Sequence, residues 1–274
     1  MKKLSITDQL SYSTIRIECK TNTGISTGTG FFFNFCKTQD GFIPAIITNK
    51  HVIKNAETCS LVFTLKDSNG DPIDRIHHTV NITDFQIPWI HHPDASIDLC
   101  AMPITSIIQI LERQQVHIFY IGLDASLIPS SDQLANFQAI EDIIMVGYPD
   151  GLWDHTNNKP IFRKGITATH INKDYLGQKN FLIDAACFPG SSGSPVLIYN
   201  EFGYMKDSLF QIGQRLLFVG VFFAIHQHQI NGELKLIEQA IQPVAQSYIP
   251  NNLGLVIKSE AILYFEKHFS ESIK

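Results

Sequence analysis

Residues 187–196 read CFPGSSGSPV, three serines set among glycines and closed by a proline. A Gly/Ser cluster is commonly an ordinary turn, so its chemistry has to be argued. A serine hydroxyl is a weak nucleophile unless a base takes its proton and hydrogen-bond donors hold the oxyanion. Gly190, two residues before Ser192, lets the backbone turn its N–H groups toward one point, and Gly193 leaves room for a substrate backbone. Ser192 is therefore the serine placed to react, with the N–H groups of Gly190 and Ser192 as oxyanion donors. In the nucleophile elbow of α/β-hydrolases a residue separates serine from the following glycine, so that architecture is not the one written here.

The rest of the chain narrows the setting. It has 274 residues, 44% of them hydrophobic and 17% charged, enough to bury one large core or two modest ones. A net charge of −5, with Lys and Arg scattered, gives no footprint for nucleic acid or an anionic membrane. The N-terminal MKKLSITDQLSYS has no apolar run behind its lysines and is not a secretory signal. The longest apolar stretch, LLFVGVFFAI at 216–225, is about half the length that spans a bilayer and reads as a buried strand. Five cysteines, an odd number without a C-x-x-C pair, fit reduced thiols and a cytoplasmic location better than a secreted disulfide scaffold.

Most of the sequence divides into short runs rich in Val, Ile, Phe and Thr, with Gly, Asn, Asp or Pro in the gaps. One series covers 13–19, 26–35, 42–49, 59–65, 75–82 and 98–104; a second covers 142–148, 165–171, 181–186, 194–199, 215–225 and 253–257. Many strands without alternating long helices predict an all-β chain of closed barrels or sandwiches. Helical patterns are confined to 106–115 and 130–138, a face shared by Leu234, Ile237 and Ile241, and a last one by Ile262, Phe265 and Phe269, with Ser259 as its N-cap. Two β units follow, residues 1–115 and 116–274, the second closed by a C-terminal helix.

The base for Ser192 should be a histidine. Of eleven, His51 stands directly after the strand IPAIITNK and opens the short HVIKNAE segment, a rigid mount. The pairs His77/His78 and His91/His92, and His226 with His228, lack the spacing of a zinc site, and solvated loops explain them; no metal or cofactor is expected. A carboxylate must hold the imidazole tautomer. Asp98 borders the apolar run of ASIDLCAMPI, whereas its competitor Asp94 lies in the turn-like HHPDA.

His51, Asp98 and Ser192 in that order, on an all-β background, resemble the chymotrypsin-like serine proteases over nearly the whole chain. ITNKHVI (47–53) is similar to the family's histidine motif, IDLCAMPI (97–104) to its aspartate strand, and IDAACFPGSSGSPV (183–196) to its nucleophile loop. The nearest branches are the bacterial HtrA-type and glutamyl-endopeptidase types, and GTGFFF (28–33) and VGYPDG (146–151) also resemble HtrA-type segments. The resemblance implies two six-stranded antiparallel β-barrels with the site between them. In it Ser192 attacks, His51 relays the proton and Asp98 orients His51. It also implies a pocket with Ala186 and Cys187 at the floor and Phe223, Ala224 and Ile225 along one wall. Residues 223–225 would pair with substrate as an added strand. No acidic residue stands at that floor, so small or medium apolar side chains are expected before the scissile bond; the alternative is that His226 receives a glutamate.

Several positions depart from the pattern. Ser191 stands where animal trypsins carry an aspartate, and no Ile-Val-Gly-Gly-like segment supplies an activating N-terminus. Val52 and Phe188 occupy places where cysteines are frequent, and Ser194 replaces the second glycine after the nucleophile. Residues 230–274 suffice for closing helices and a strand, so no PDZ module is expected. The function expected is an intracellular serine endopeptidase acting on proteins or peptides, with gating by a regulatory partner or oligomer. The alternative is a catalytically silent or partner-gated barrel that binds peptides.

Overall fold

The computed structural model describes residues 3–84, 88–206, 209–230 and 247–272. Its N-terminal half runs α1 (Ile6–Leu10), β1 (Thr14–Thr21), β2 (Gly24–Phe35), β3 (Ile43–Thr48), α2 (Lys50–Ile53), β4 (Thr58–Lys66) and β5 (Pro72–Thr83). It continues through β6 (Ile90–His91), β7 (Cys100–Pro103), α3 (Thr105–Arg113), β8 (Ile118–Phe119), β9 (Leu123–Asp124) and α4 (Ser131–Ala135). The C-terminal half contains β10 (Asp142–Gly147), β11 (Ile161–Thr167), β12 (Asn180–Asp184), β13 (Pro195–Asn200), β14 (Gly203–Lys206), β15 (Leu209–Ile212), β16 (Arg215–Ile230), β17 (Ser247–Lys258) and α5 (Leu263–Ser272).

The second half closes into a six-stranded barrel, β10-β11-β12-β17-β16-β13. The first half is a sheet with the order β5-β4-β1-β2-β3-β7-β6, to which β8 adds on β4 and β9 on β2. The fold is the all-β, chymotrypsin-like one with a C-terminal helix. Among the described residues the ladder of the first half does not itself close, because β6 is only two residues long. The first sheet also reaches past residue 115: β8 and β9 belong to it, so the changeover between sheets falls between Asp124 and Asp142.

Strand β2 explains how the halves are joined. Residues Gly28–Phe33 are buried without a break, on both faces of the strand. Successive side chains point to opposite faces, and here each face has its own core. Phe32 enters the interior of the first sheet with Ile15, Ile17, Ile46 and Phe63. Phe31, Phe33 and Phe35 face the other way, into a core shared with Val146, Leu197 and Phe218 of the second half and with Phe265 and Phe269 of α5. A third core, including Met145, Ile183, Cys187, Val196 and Phe222, fills the barrel. Burying each such aromatic stabilises by roughly 2–3 kcal/mol, so the apolar FFF run is the main cement between the sheets.

The last helix differs slightly from expectation. Ser259 is not its N-cap; it is the first residue of a 3-10 turn (Ser259–Ile262), and Lys258 holds the cap position without a side-chain bond. The cause is that Lys258 is still paired with Gly220 in the β16–β17 ladder, so the chain turns immediately on leaving it. The expected face of Leu234, Ile237 and Ile241 lies outside the described residues. All five cysteines are free thiols.

Phe35 packs against Phe33, Phe265 and Phe269 with no exposed surface. Phe35→Ala should cost about 3–5 kcal/mol by loss of burial and creation of a cavity, read as a lower urea midpoint at unchanged slope.

Candidate active site

The register of two neighbouring strands brings His51 and Asp98 together. β3 and β7 are antiparallel with Thr48 opposite Cys100. His51 lies three residues beyond that end of β3, on α2, and Asp98 two residues before that end of β7, so both emerge from the same edge. The Asp98 carboxylate accepts the His51 backbone N–H at 3.1 Å and approaches His51 Nδ1 to 2.5 Å. The Asn49 side-chain amide donates to the Asp98 carbonyl oxygen at 2.7 Å, fixing the backbone as well as the carboxylate. Burial pushes the Asp98 carboxyl up, but the hydrogen bond and charge of His51, with backbone N–H groups of His51 and Lys50, outweigh it and hold it below the usual carboxylate range. Asp94 instead caps its own turn, accepting from the Ser96 N–H and hydroxyl.

The nucleophile loop joins β12 to β13, and positive φ at Gly190 (84°) and Gly193 (89°) shapes it. A side chain at Gly190 would come within 2.6 Å of the Tyr148 carbonyl oxygen, and one at Gly193 would collide with the Thr29 carbonyl. Its carbonyls around the nucleophile are engaged. The Asp150 N–H donates to Pro189 O at 2.5 Å, the Thr29 hydroxyl to Gly190 O at 2.9 Å, and the Thr29 N–H to Ser192 O at 2.8 Å. The N–H groups of Ser191, Gly193 and Ser194 donate to Phe188 O, Phe222 O and Ser191 O. The N–H groups of Gly190 and Ser192 have no acceptor among the described residues, nor do those of Ala186, Cys187 and Phe188 earlier in the loop. Asp150 is held in the left-handed region (φ 51°, ψ 24°), the conformation that aims its N–H at Pro189. Ser191 is buried, so the loop is ordered without the carboxylate–ammonium pair of animal trypsins.

Thr29 ties this loop to the first sheet. Its hydroxyl also accepts the Tyr148 N–H at 3.0 Å, and its carbonyl accepts the Thr48 hydroxyl at 2.7 Å. Thr48 is the last residue of β3, three before His51, and packs against Gly193. The loop bearing Ser192 is thereby docked on the strand end that carries His51. The Ser192 hydroxyl lies 3.5 Å from Phe223 O, too far for a firm hydrogen bond.

Of the expected pocket residues, Cys187 is buried in the barrel core, while Ala186, Phe223, Ala224 and Ile225 are half-buried. Register shifts fall between Phe222 and Ala224 and between Ile225 and Gln227. Such bulges re-aim backbone groups beside active sites, and here they turn the Phe223 carbonyl toward Ser192. β13 follows β16 only as far as Val221, and Phe222 bonds to Gly193 and Ser194 of the nucleophile loop, so among the described residues that edge of β16 has no strand partner from Phe223 onward. The side chain of His226 lies outside the described residues. Sequence reasoning missed Thr29, Asn49 and Asp150, whose contacts with the site are made mostly by residues far away in the chain.

A family model of the trypsin-like peptidase domain matches residues 28–201. The chain belongs to the trypsin-like peptidase family, and its enzyme class is that of the trypsin-like serine peptidases. Among curated proteins no match is found. Solved structures similar to it include an inactive form of Rv3671c from M. tuberculosis, at 13% identity and TM-score 0.44, covering 93% of this chain and 85% of that one. The HtrA-type protease AlgW with a tripeptide is 15% identical, TM-score 0.47, covering 93% of this chain and 59% of that one. A serine endoprotease from Yersinia pestis is 14% identical, TM-score 0.47, covering 96% of this chain and 66% of that one. No described helix is long and apolar enough to cross a membrane.

Two outcomes follow from this geometry. Thr29→Val leaves Gly190 O and the Tyr148 N–H unpaired; it should lower stability by about 1–3 kcal/mol and kcat on the order of 10- to 100-fold, with Thr29→Ser restoring both. The Asp98 carboxyl is lowered in the native state, so its stabilisation is complete above the unfolded value of about 4 and is lost as pH falls through the native value. The urea-midpoint difference between the protein and Asp98→Asn should therefore shrink below about pH 4.

Proposed function

We propose that the protein is a serine endopeptidase that cleaves peptide bonds through His51, Asp98 and Ser192. The substrate backbone lies along the open edge of β16 at Phe223–Ile225, as an added strand, and presents its scissile carbonyl to Ser192. His51 takes the Ser192 proton as the oxygen attacks, Asp98 holds the imidazole with Nδ1 protonated, and the Gly190 and Ser192 N–H groups receive the oxyanion. The tetrahedral intermediate collapses, His51 gives its proton to the leaving amine, and water repeats the sequence on the acyl-enzyme.

The observation that carries this reading is the state of the nucleophile loop. Its carbonyls at Pro189, Gly190 and Ser192 are each occupied by donors from outside the loop, which leaves the Gly190 and Ser192 N–H groups free to receive an oxyanion. Preorganised donors of this kind supply a large share of catalysis because they need no reorganisation during reaction.

A fluorophosphonate probe tests it. The purified protein should form a covalent adduct that peptide mass spectrometry maps to Ser192, absent in Ser192→Ala and formed at least a hundredfold more slowly in His51→Ala. A folded protein that gives no adduct would sink the endopeptidase reading and turn attention to peptide binding or gating.

A further inference from the structure

On the inward face of the barrel stands a half-buried arginine with no ion-pair partner among the described residues. On β11 the residues Ile161, Arg163, Gly165 and Thr167 share one face, and Phe162, Lys164 and Ile166 the other. The β10–β11 register sets Arg163 opposite Met145, and the β10–β13 register sets Met145 opposite Val196. Met145 and Val196 belong to the barrel core, so Arg163 lies on the inward face in the same layer. The alternation of β11 is inverted: Phe162 (39% exposed) and Ile166 (36% exposed) look outward while the arginine looks in.

The register also fixes where along the barrel it sits. β11 and β12 pair Thr167 with Ile183 and Ile166 with Asp184. Continued past the end of the ladder, the same register brings Gly165 to Ala185 and Arg163 to Cys187. A side chain on Gly165 would indeed touch Ala185. The Arg163 guanidinium lies 5.4 Å from the ring centre of Phe188, the next residue of the nucleophile loop. It therefore stands at the floor expected for the primary pocket, beside Cys187.

Its charge is unmet. The Arg163 Nε is buried without a hydrogen-bond partner, and no ion pair to Arg163 exists among the described residues. Asp184, whose charge reaches the neighbouring Cys187, is exposed and pairs with the outward Ile166, on the opposite face. Burial and then the charge of Asp184 push the Cys187 thiol up to about 12, against the pull of Arg163, so the thiol stays neutral and offers no anion. The contrast with Arg215 is direct. That half-buried arginine of the same barrel pairs with Glu141 at 2.6 Å, donates to Asn200 at 2.8 Å and lies over the Tyr204 ring. A half-buried guanidinium whose Nε is shut off from water without a carboxylate is costly, and a carboxylate arriving from outside would complete it.

We propose that Arg163 is the floor of the primary specificity pocket and selects substrates with glutamate or aspartate before the scissile bond, the substrate carboxylate completing its ion pair. This rests on the endopeptidase reading above, and it replaces the small apolar preference expected from the sequence. A charge-assisted pair in such a site favours the acid by about 10- to 100-fold.

The test uses one peptide frame with Glu, Gln, Leu or Ala at the position before the cleaved bond. For the active protein, kcat/KM should favour Glu over both Gln and Leu by at least about tenfold. Arg163→Leu should bring the Glu:Leu ratio of kcat/KM down to about one or below, and Arg163→Lys should keep part of the preference. The same uncleaved peptides titrated into Ser192→Ala read binding without chemistry. Tighter binding of the Glu peptide than of its Gln isostere, abolished by adding Arg163→Leu, supports the pocket even if the native protein gives no fluorophosphonate adduct. An adduct on Ser192 together with equal handling of Glu, Gln and Leu overturns the pocket and leaves the endopeptidase standing. A Glu:Leu ratio that Arg163→Leu does not change also overturns it.

Discussion

One threonine side chain and its peptide groups hold the two halves of this protein in working register. Thr29 meets Tyr148, Gly190, Ser192 and Thr48 through four hydrogen bonds. Two of those partners, Gly190 and Ser192, lie more than a hundred and fifty residues away on the nucleophile loop. Apolar packing alone could join the sheets, since Phe31, Phe33 and Phe35 already bury one face of β2 against the barrel and α5. Dispersion and burial are non-directional, however, and tolerate sliding by fractions of an ångström. A nucleophile must meet its base within far tighter limits. The hydrogen bonds of Thr29 supply that directionality at the point where the FFF run supplies the energy, and both functions belong to one strand.

The same division of labour appears around the oxyanion donors. Nothing among the described residues accepts from the Gly190 and Ser192 N–H groups; they are presented because the carbonyls of Pro189, Gly190 and Ser192 are already engaged. The Asp150 turn is part of this. Its left-handed backbone places an N–H on Pro189 O, and a peptide whose carbonyl is held there has its N–H committed to the opposite side. Ser191 can therefore replace an aspartate without leaving the loop disordered.

Much of this was legible in the sequence. The strand-like runs all overlap strands, although 165–171 shares only its first three residues with β11, because β-branched and aromatic residues bounded by turn residues signal pleated, buried backbone. The two-residue strands β6, β8 and β9 are too short to show a period, and their assignment depends on neighbours. The candidate residues His51, Asp98 and Ser192 could be named from chain order and motif, since each sits at a strand end or in a glycine-shaped loop. What the sequence hides is pairing at a distance. Thr29 reads as one more strand threonine until the register sets it against Gly190, 161 residues later. Arg163 is the sharper case: in IFRKGIT the hydropathy alternation turns Phe162 and Ile166 inward and Arg163 out, the reverse of what the barrel does.

That reversal bears on how fold and function share the barrel. A strand that turns its apolar residues outward and its cation inward forfeits burial on one face and desolvates charge on the other, so β11 works against folding stability. The surrounding barrel tolerates it because the other strands, including β12, β13 and β16, contribute fully apolar inner faces. Arg163 also sits beside the nucleophile loop, its guanidinium 5.4 Å from the ring centre of Phe188. A residue that opposes its own local pattern beside a nucleophile loop is what the proposed acid-selecting pocket requires, its partner coming from outside. Binding such a partner would stabilise the free protein by mass action, so in the pocket recognition and folding draw on the same ion pair.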